Sequence, residues 1–452
     1  MPTASDTHRY AYRAPSELDA GRLLLQTSGG RTERGLVANP RFFTGFLTAA
    51  QQAATGLLVL ADLARTDFRR AGQPLDGTLR GYRDPIVTSG GHRLRFEAFS
   101  ACCGAYGRLD VLDAALDGEV VAHGTTNVDI NPPLYAALTR VGGGDPLRLS
   151  VGPDDLTVST LDGALVEKKV PLPERWLRGL AEVPAAAAGF DPRAQLTAAE
   201  ATAFLSRLPA GATREVRWLM PVGRALRGTM SPVPGAVCLA APARLSVLRP
   251  LLPFARRLRL YGPAVSPDSG PVASGWELDL GRMRFTLLLS PGTNRGFSGE
   301  GGLLHALAGD RAVEDAEPVG ALLGWDELVD LDRLAELSGV DRPRVAGALA
   351  VLATSGQVGY DAAEAAYFHR ELPYEPARVE QLSPRLTAAR ALHAEGRVRP
   401  IDGGFEVRSG ERTYLVHRRA DGTWGCTCPW WGEHHGDRGP CKHVLATTQV
   451  AR

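Results

Sequence analysis

Between residues 92 and 170 apolar and polar positions alternate. Leu94, Phe96 and Ala98 interleave with Arg93, Arg95 and Glu97, a period of two that predicts a strand with one face buried and the other in water. Similar runs at 108–112, 119–123, 147–151, 156–160 and 165–170 predict more strands, with a short helix over 132–141. Ahead of them the pattern is helical. Asn39 suits an N-cap and Pro40 a first helical position, and Phe42, Phe43, Phe46, Leu47, Leu57, Leu58 and Leu60 recur at helical spacing. One buried amphipathic helix ending at 69–72 is expected there. A helix carrying Trp176 is expected over 174–180, and the alanine-rich stretch 184–189 reads as a linker.

A second mixed segment opens at Thr197, which has capping-box spacing to Glu200. Strands are expected at 215–220, 237–240, 257–261, 276–280 and 284–289, with a Pro/Gly/Ser-rich loop over 262–275. From about 322 the period becomes helical. Leu328, Leu331, Leu334, Ala335 and Leu337 form one apolar stripe stopped by Ser338-Gly339. Asp341 caps a second helix with Val345, Ala348, Leu349 and Leu352, and two short strands follow at 357–361 and 366–370. Two helices, a tight turn and a hairpin resemble a winged helix, the helix-turn-helix variant with a β wing. That resemblance covers about fifty residues. It would place Arg342 and Arg344 either near DNA phosphates or on a solvated helix face.

A helix over 384–395 and strands carrying Phe405, Val407, Tyr414, Val416 and Trp424 lead to the last segment, with Asp421-Gly422 as a hairpin turn. The expected class is therefore α+β and multi-domain. Mixed domains span 1–190 and 191–320, a winged-helix-like unit 321–375, and a metal-stapled region 376–452. The two mixed segments look related, without a residue-level repeat.

Composition changes this picture only locally. The 452 residues carry a formal net charge of +1, so no global attraction to polyanions exists and any such case must be local. Nearly all basic residues are Arg; with the heavy Ala, Gly and Pro usage this associates with a GC-rich bacterial coding sequence. Six cysteines in so long a chain make no disulfide framework, which points to a reducing compartment. The start lacks an apolar signal core and no run reaches the ~20 apolar residues of a membrane span. A cytoplasmic protein without membrane contact is the expectation.

Three of the cysteines fall in one window: Cys426-Thr427-Cys428, twelve residues, then Cys441-Lys442-His443. Residues two apart on a strand share a side, so Cys426 and Cys428 can offer both thiolates to one ion. Cys441 and His443 suit a turn into a helix. Four protein ligands leave no open position, which defines one structural Zn²⁺ and not a hydrolytic one. His434 and His435 are alternatives to His443, because the loop brings them near. The other reading is a set of buried free thiols.

This pattern, preceded by a Tyr/Val/Trp-rich hairpin and followed by a short helix, resembles a SWIM-type zinc finger over residues 406–448. The resemblance implies a ββα fold around the metal and binding to DNA or to protein. It also implies an alternative, an adaptor in a bacterial assembly with a MoxR-type AAA+ ATPase and von Willebrand A-domain partners and no nucleic-acid contact. Three thiolates and an imidazole leave the zinc centre near −1, so attraction to phosphate must come from the surrounding cations. Arg418, Arg419, Arg438 and Lys442 are the candidates, with Arg408 and Arg412 nearby. Trp430 and Trp431 either stack on bases, insert into a protein groove, or cap the zinc loop.

No catalytic set emerges elsewhere. The glycine-rich 290–302 lacks a Gly-Lys-Ser/Thr ending and reads as a surface loop. The polar stretch 124–131 offers a lone Asp, more often a turn or cap residue than a catalyst, and Cys102-Cys103 reads as packing. The expectation is a non-enzymatic zinc protein with no small-molecule substrate. Its finger would meet nucleic acid or protein.

Overall fold

The computed structural model describes residues 17–19, 22–24, 30–32, 35–37, 41–70, 85–120, 122–152, 155–168, 172–209, 215–223, 225–292, 296–297, 312–324, 327–370, 372, 384–419, 424–436 and 439–448. The first elements are β1 (Phe43–Leu47), α1 (Ala50–Arg65), β2 (Ile86–Ser89), β3 (Arg93–Phe99), β4 (Ala105–Leu112), β5 (Leu116–Val120), β6 (Gly124–Asn127) and α2 (Pro132–Leu138). Next come β7 (Arg148–Val151), β8 (Asp155–Thr160), β9 (Gly163–Lys168), α3 (Glu174–Ala187), β10 (Asp191–Thr197) and α4 (Ala198–Ser206). Then follow β11 (Val216–Val222), β12 (Ala225–Thr229), β13 (Val237–Ala240), a 3₁₀ segment Pro242–Phe254, β14 (Arg257–Gly262), β15 (Ser274–Asp279) and β16 (Met283–Leu289). The C-terminal half adds α5 (Ala312–Ala321), α6 (Leu331–Ser338), α7 (Arg342–Thr354), β17 (Val358–Asp361) and β18 (Ala366–His369). Short strand pairs at residues 17–24 and 30–37 precede all of these.

An antiparallel eight-stranded sheet in the order β6-β2-β3-β4-β16-β15-β14-β10 organises the body. Its central seam pairs β4 with β16, Val111 opposite Met283, so the sheet runs through the 190/191 boundary without a break. A five-stranded sheet, β9-β8-β7-β1-β5, flanks it. One face of the large sheet is apolar: Leu94, Phe96, Leu109, Phe285, Leu287, Trp276 and Leu258 are fully buried. Helix α1 lies across this face, and two glycines set how close it comes. A Cβ on Gly56 would stand 2.8 Å from Leu109, and one on Gly107 2.6 Å from Leu63.

The opposite face carries two polar rows. Arg95, Asp110, Arg284, Asp279 and Arg257 stand side by side across five strands, and Glu97, Arg108, Thr286, Glu277 and Arg259 form the next row. The expectation that Arg93, Arg95 and Glu97 face water is corrected. Arg95 and Glu97 are fully buried, because the β17–β18 hairpin and α3 cover this part of the sheet. Asp361 at the end of β17 accepts from Arg108 (2.9 Å), Arg284 (2.9 Å) and Arg93 (3.3 Å). Arg370 donates to Glu97 (2.7 Å), which also receives the Tyr106 hydroxyl (2.6 Å). The Arg95 guanidinium lies 4.2 Å over the Phe368 ring, a cation–π contact. Burial alone would raise the Asp361 carboxyl, but Arg108, Arg284, Arg95 and Arg93 together hold it well below the ordinary carboxylate range.

Two other expectations are corrected. The helix expected from residue 39 to 72 starts only at Ala50; Asn39 and Pro40 lie outside the described residues. Phe43–Leu47 is strand: residues 43, 45 and 47 are buried and Phe46 is 44% exposed on the other face, while Thr44 and Gly45 are poor helix formers. Gly45 also meets Gly118 so closely that a Cβ would lie 2.5 Å from the neighbouring backbone. The alanine-rich 184–189 is no linker, since α3 continues through Pro184 to Ala187 and Ala187 is fully buried. By contrast, the Thr197/Glu200 capping box forms as expected, with Thr197 N–H donating to Glu200 at 2.8 Å. Asp330 and Asp341 cap α6 and α7, and Gly339 closes α6 in the left-handed region.

A separate small core holds the C-terminal region, formed by α8 (Pro384–Ala394), β19 (Val398–Ile401), β20 (Gly404–Ser409), β21 (Arg412–Arg418), β22 (Trp424–Cys426), α9 (Pro429–His434) and α10 (Lys442–Thr448). The four strands pair in sequence order. The expected Asp421-Gly422 turn lies outside the described residues. Among the described residues no helix is long and apolar enough to cross a membrane.

Candidate metal centre

Strand β22 ends at Cys426, which faces inward with Val407 and Val416, and the chain leaves the sheet at exposed Thr427. Cys428 is also the N-cap of α9, with Pro429 in its first turn. Its sulfur accepts the Trp431 N–H at 3.4 Å, as the Cys441 sulfur accepts the Val444 N–H at 3.5 Å. Backbone N–H groups aimed at sulfur favour thiolate over thiol. His443, in the first turn of α10, places Nδ1 at 3.7 Å from Cys426 Sγ and 4.0 Å from Cys441 Sγ. All four ligand atoms lie within 4.8 Å of one another, and all four side chains are buried.

These separations match the edges of a tetrahedron with Zn–S of about 2.3 Å and Zn–N of about 2.0–2.1 Å. The electrostatics agree. Hydrogen bonding from Cys426 to Cys428 holds the Cys426 thiol well above its ordinary value and Cys428 well below it. Three sulfurs this close ionise together only around a cation. The donor set therefore fits one structural zinc ion, held by Cys426, Cys428, Cys441 and His443. The alternatives His434 and His435 fall outside this cluster; His434 instead meets the Trp430 ring edge-on at 4.2 Å.

Neighbouring side chains brace the ligands. The Tyr414 ring packs on His443 at 4.5 Å. Arg385, on α8, lies 4.6 Å over the Trp430 ring and donates to the Pro440 carbonyl at 3.2 Å, so a helix before the sheet grips the metal loop. Sequence reading missed Arg385 and the helix α9; the Cys-Pro step, a cap followed by proline at the first helical position, was its local signal.

Of the candidate partner residues, Arg418 and Arg419 are exposed, and Lys442, Trp430 and Trp431 are half-buried. Both tryptophans pack against the finger's core. Arg438 lies outside the described residues. Arg342 and Arg344 at the start of α7 are held by carboxylates: Arg342 by Asp332 (2.9 Å) and Arg344 by Asp315 (2.6 and 2.9 Å). In the glycine-rich 290–302 only residues 290–292, 296 and 297 are described. Gly296, at φ 61°, sits so close to Cys103 that a Cβ would lie 2.3 Å from its backbone. The 124–131 stretch forms β6 and the Asn131 cap of α2.

Comparison with known proteins agrees with the centre. Residues 414–451 match the family model described as SWIM zinc finger. No curated protein matches the chain. Among solved structures, the chain is similar to proliferating cellular nuclear antigen from Entamoeba histolytica at 12% identity and a TM-score of 0.33, covering 56% of this chain and 99% of that one.

Proposed function

We propose that this chain is a non-enzymatic zinc protein whose C-terminal finger binds nucleic acid, with DNA the first expectation. The observation that carries this reading is a contrast between two sets of arginines. In the body Arg93, Arg95, Arg108, Arg284 and Arg370 are taken up by buried carboxylates. In the finger Arg408 and Arg412 are exposed and make no ion pair among the described residues. Between residues 384 and 448 ten Arg/Lys face seven Asp/Glu, an excess that outweighs a zinc centre of about −1. The closed donor set gives the metal a structural role and leaves recognition to the side chains around it. The α6–α7–hairpin unit has no assigned contact in this reading, because Arg342 and Arg344 are paired and the hairpin is committed to the sheet.

The test is a binding titration of the zinc-loaded full chain with DNA and RNA oligonucleotides at several salt concentrations. Phosphate contact makes log affinity fall linearly with log salt, and Arg418→Ala should flatten that slope. Absence of binding to any nucleic acid at low salt would overturn the reading and leave a protein as the partner.

A further inference from the structure

The finger's sheet has two unlike faces. Val407 and Val416 are fully buried and Cys426 nearly so, and Tyr414 lies on the metal ligand His443. The alternate positions point away from the metal. Register places Arg399 beside Glu406 and Leu415, Ile401 beside Gly404 and His417, and Arg408 beside Thr413. Leu415 is 44% exposed and the Arg399 side chain 80%, while Arg408, Thr413 and His417 are exposed. This face is also low. Gly404 and Gly425 flank His417, and a Cβ on Gly425 would stand 3.0 Å from the imidazole, so the ring lies across a glycine row.

Resting on the nucleic-acid reading above, we propose that this open sheet face is the binding surface and that its ligand is a single strand. Two observations select a single strand over a duplex. Reading a major groove takes a helix or a protruding two-stranded ribbon, yet residues 443–447 of α10 are all buried, α9 has only six residues, and α8 is packed against α10 with Arg385 turned onto Trp430. A flat sheet face instead supports unstacked bases, with a ring or apolar side chain under each base and cations along the backbone. His417, Leu415 and Ile401 are the platform, and Arg399 and Arg408 meet phosphates. Glu406, 4.0 Å from Arg399, gives up that weak exposed pair to a phosphate. The tryptophans stay in the finger's core and contribute no stacking.

The test uses the zinc-loaded full chain and fluorescence anisotropy with oligo-dT, oligo-U and a duplex of equal length. A single strand should bind at least tenfold tighter than the duplex, and the dT and U arms distinguish DNA from RNA. His417→Ala and Arg408→Ala should each weaken single-strand binding about 5–10-fold, within the range for one stacked base or one phosphate. Arg408→Ala should reduce the salt slope by about 0.7. Zinc content, unchanged in both variants, separates lost contact from lost fold. Tighter duplex binding, or single-strand binding untouched by both variants, overturns this proposal and leaves the nucleic-acid reading standing. No binding to any of the three probes overturns both.

Discussion

The body and the finger bury charged and polar groups by opposite means. In the body, arginines and carboxylates from distant parts of the chain meet between the sheet and the β17–β18 hairpin, and Arg95, Arg108, Arg284 and Arg370 are each matched by a carboxylate. In the finger, three thiolates and an imidazole meet around a single ion, and Arg408, Arg412, Arg418 and Arg419 are left on the exposed surface. The body's network sits within a core that runs from Phe42 to Leu372, whereas the finger's buried apolar cluster holds eleven of the described residues, three of them cysteines. A unit that small gains too little from apolar burial to hold itself together. Ion pairs refine an already stable body; the metal creates the finger.

Removing the metal gives the largest expected effect. Structural zinc contributes about 10–16 kcal/mol of apparent binding free energy in small fingers. Chelation or Cys441→Ser should therefore unfold residues 384–448 and leave the body intact. Hydrogen exchange resolved along the chain would read this; protection retained in β20 and β21 would refute the contrast. Metal analysis of the native chain should find one zinc.

The second effect is confined to the body. Asp361→Ala removes the carboxylate shared by Arg108, Arg284 and Arg93, which keep their pairs with Asp110, Glu364 and Glu327; breaking a buried network by removing one partner costs about 3–5 kcal/mol, here toward the lower end. Denaturant unfolding should show that loss with zinc content unchanged. Because the Asp361 carboxyl is held below its ordinary value, its contribution is present above about pH 4 and fades as pH falls further. The variant and the parent should thus converge in stability under acid.

A smaller effect tests a carboxylate of the body that lacks such partners. Glu167 is 4% exposed, with Oε1 making no hydrogen bond among the described residues, and burial together with Asp129 raises it to about 7. A carboxyl raised on folding opposes the native state as pH climbs from about 4.3 toward 7, and the penalty persists above. Glu167→Gln should raise the melting temperature at pH 8 and leave it nearly unchanged at pH 4. An equal shift at both pH values would show that ionisation is not the cause.

What could be read from the sequence followed the range of the interactions. The four zinc ligands sit within eighteen residues, and Asp330, Asp341 and Thr197 cap helices three residues away or less, so their signals are local. The polar rows of the sheet gave the opposite impression. Alternation at Arg93, Arg95 and Glu97 is what a solvated face looks like, and the groups that bury it, Asp361, Phe368 and Arg370, lie far along the chain. Phe43 and Phe46 misled for a related reason: three residues apart they would share a helix face, and the strand partners that put them on opposite faces are β5 and β7. Arg385 shows the same limit within the finger, since its grip on Trp430 depends on how α8 is laid against α10.

The seam between β4 and β16 has a consequence for the order in which the chain matures. Arg108 and Arg284 face the same side of adjacent strands beside Asp110, yet a carboxylate that bonds both belongs to residue 361. During synthesis β4, which ends at Leu112, waits until Met283 for β16, its long edge open to wrong partners. When β16 arrives, Arg284 meets Asp110 across the seam, but the buried cluster stays one carboxylate short until Asp361 has left the ribosome. Assembly of the body is therefore held back until the hairpin is available, and a chain interrupted between residues 290 and 360 should be the species that aggregates.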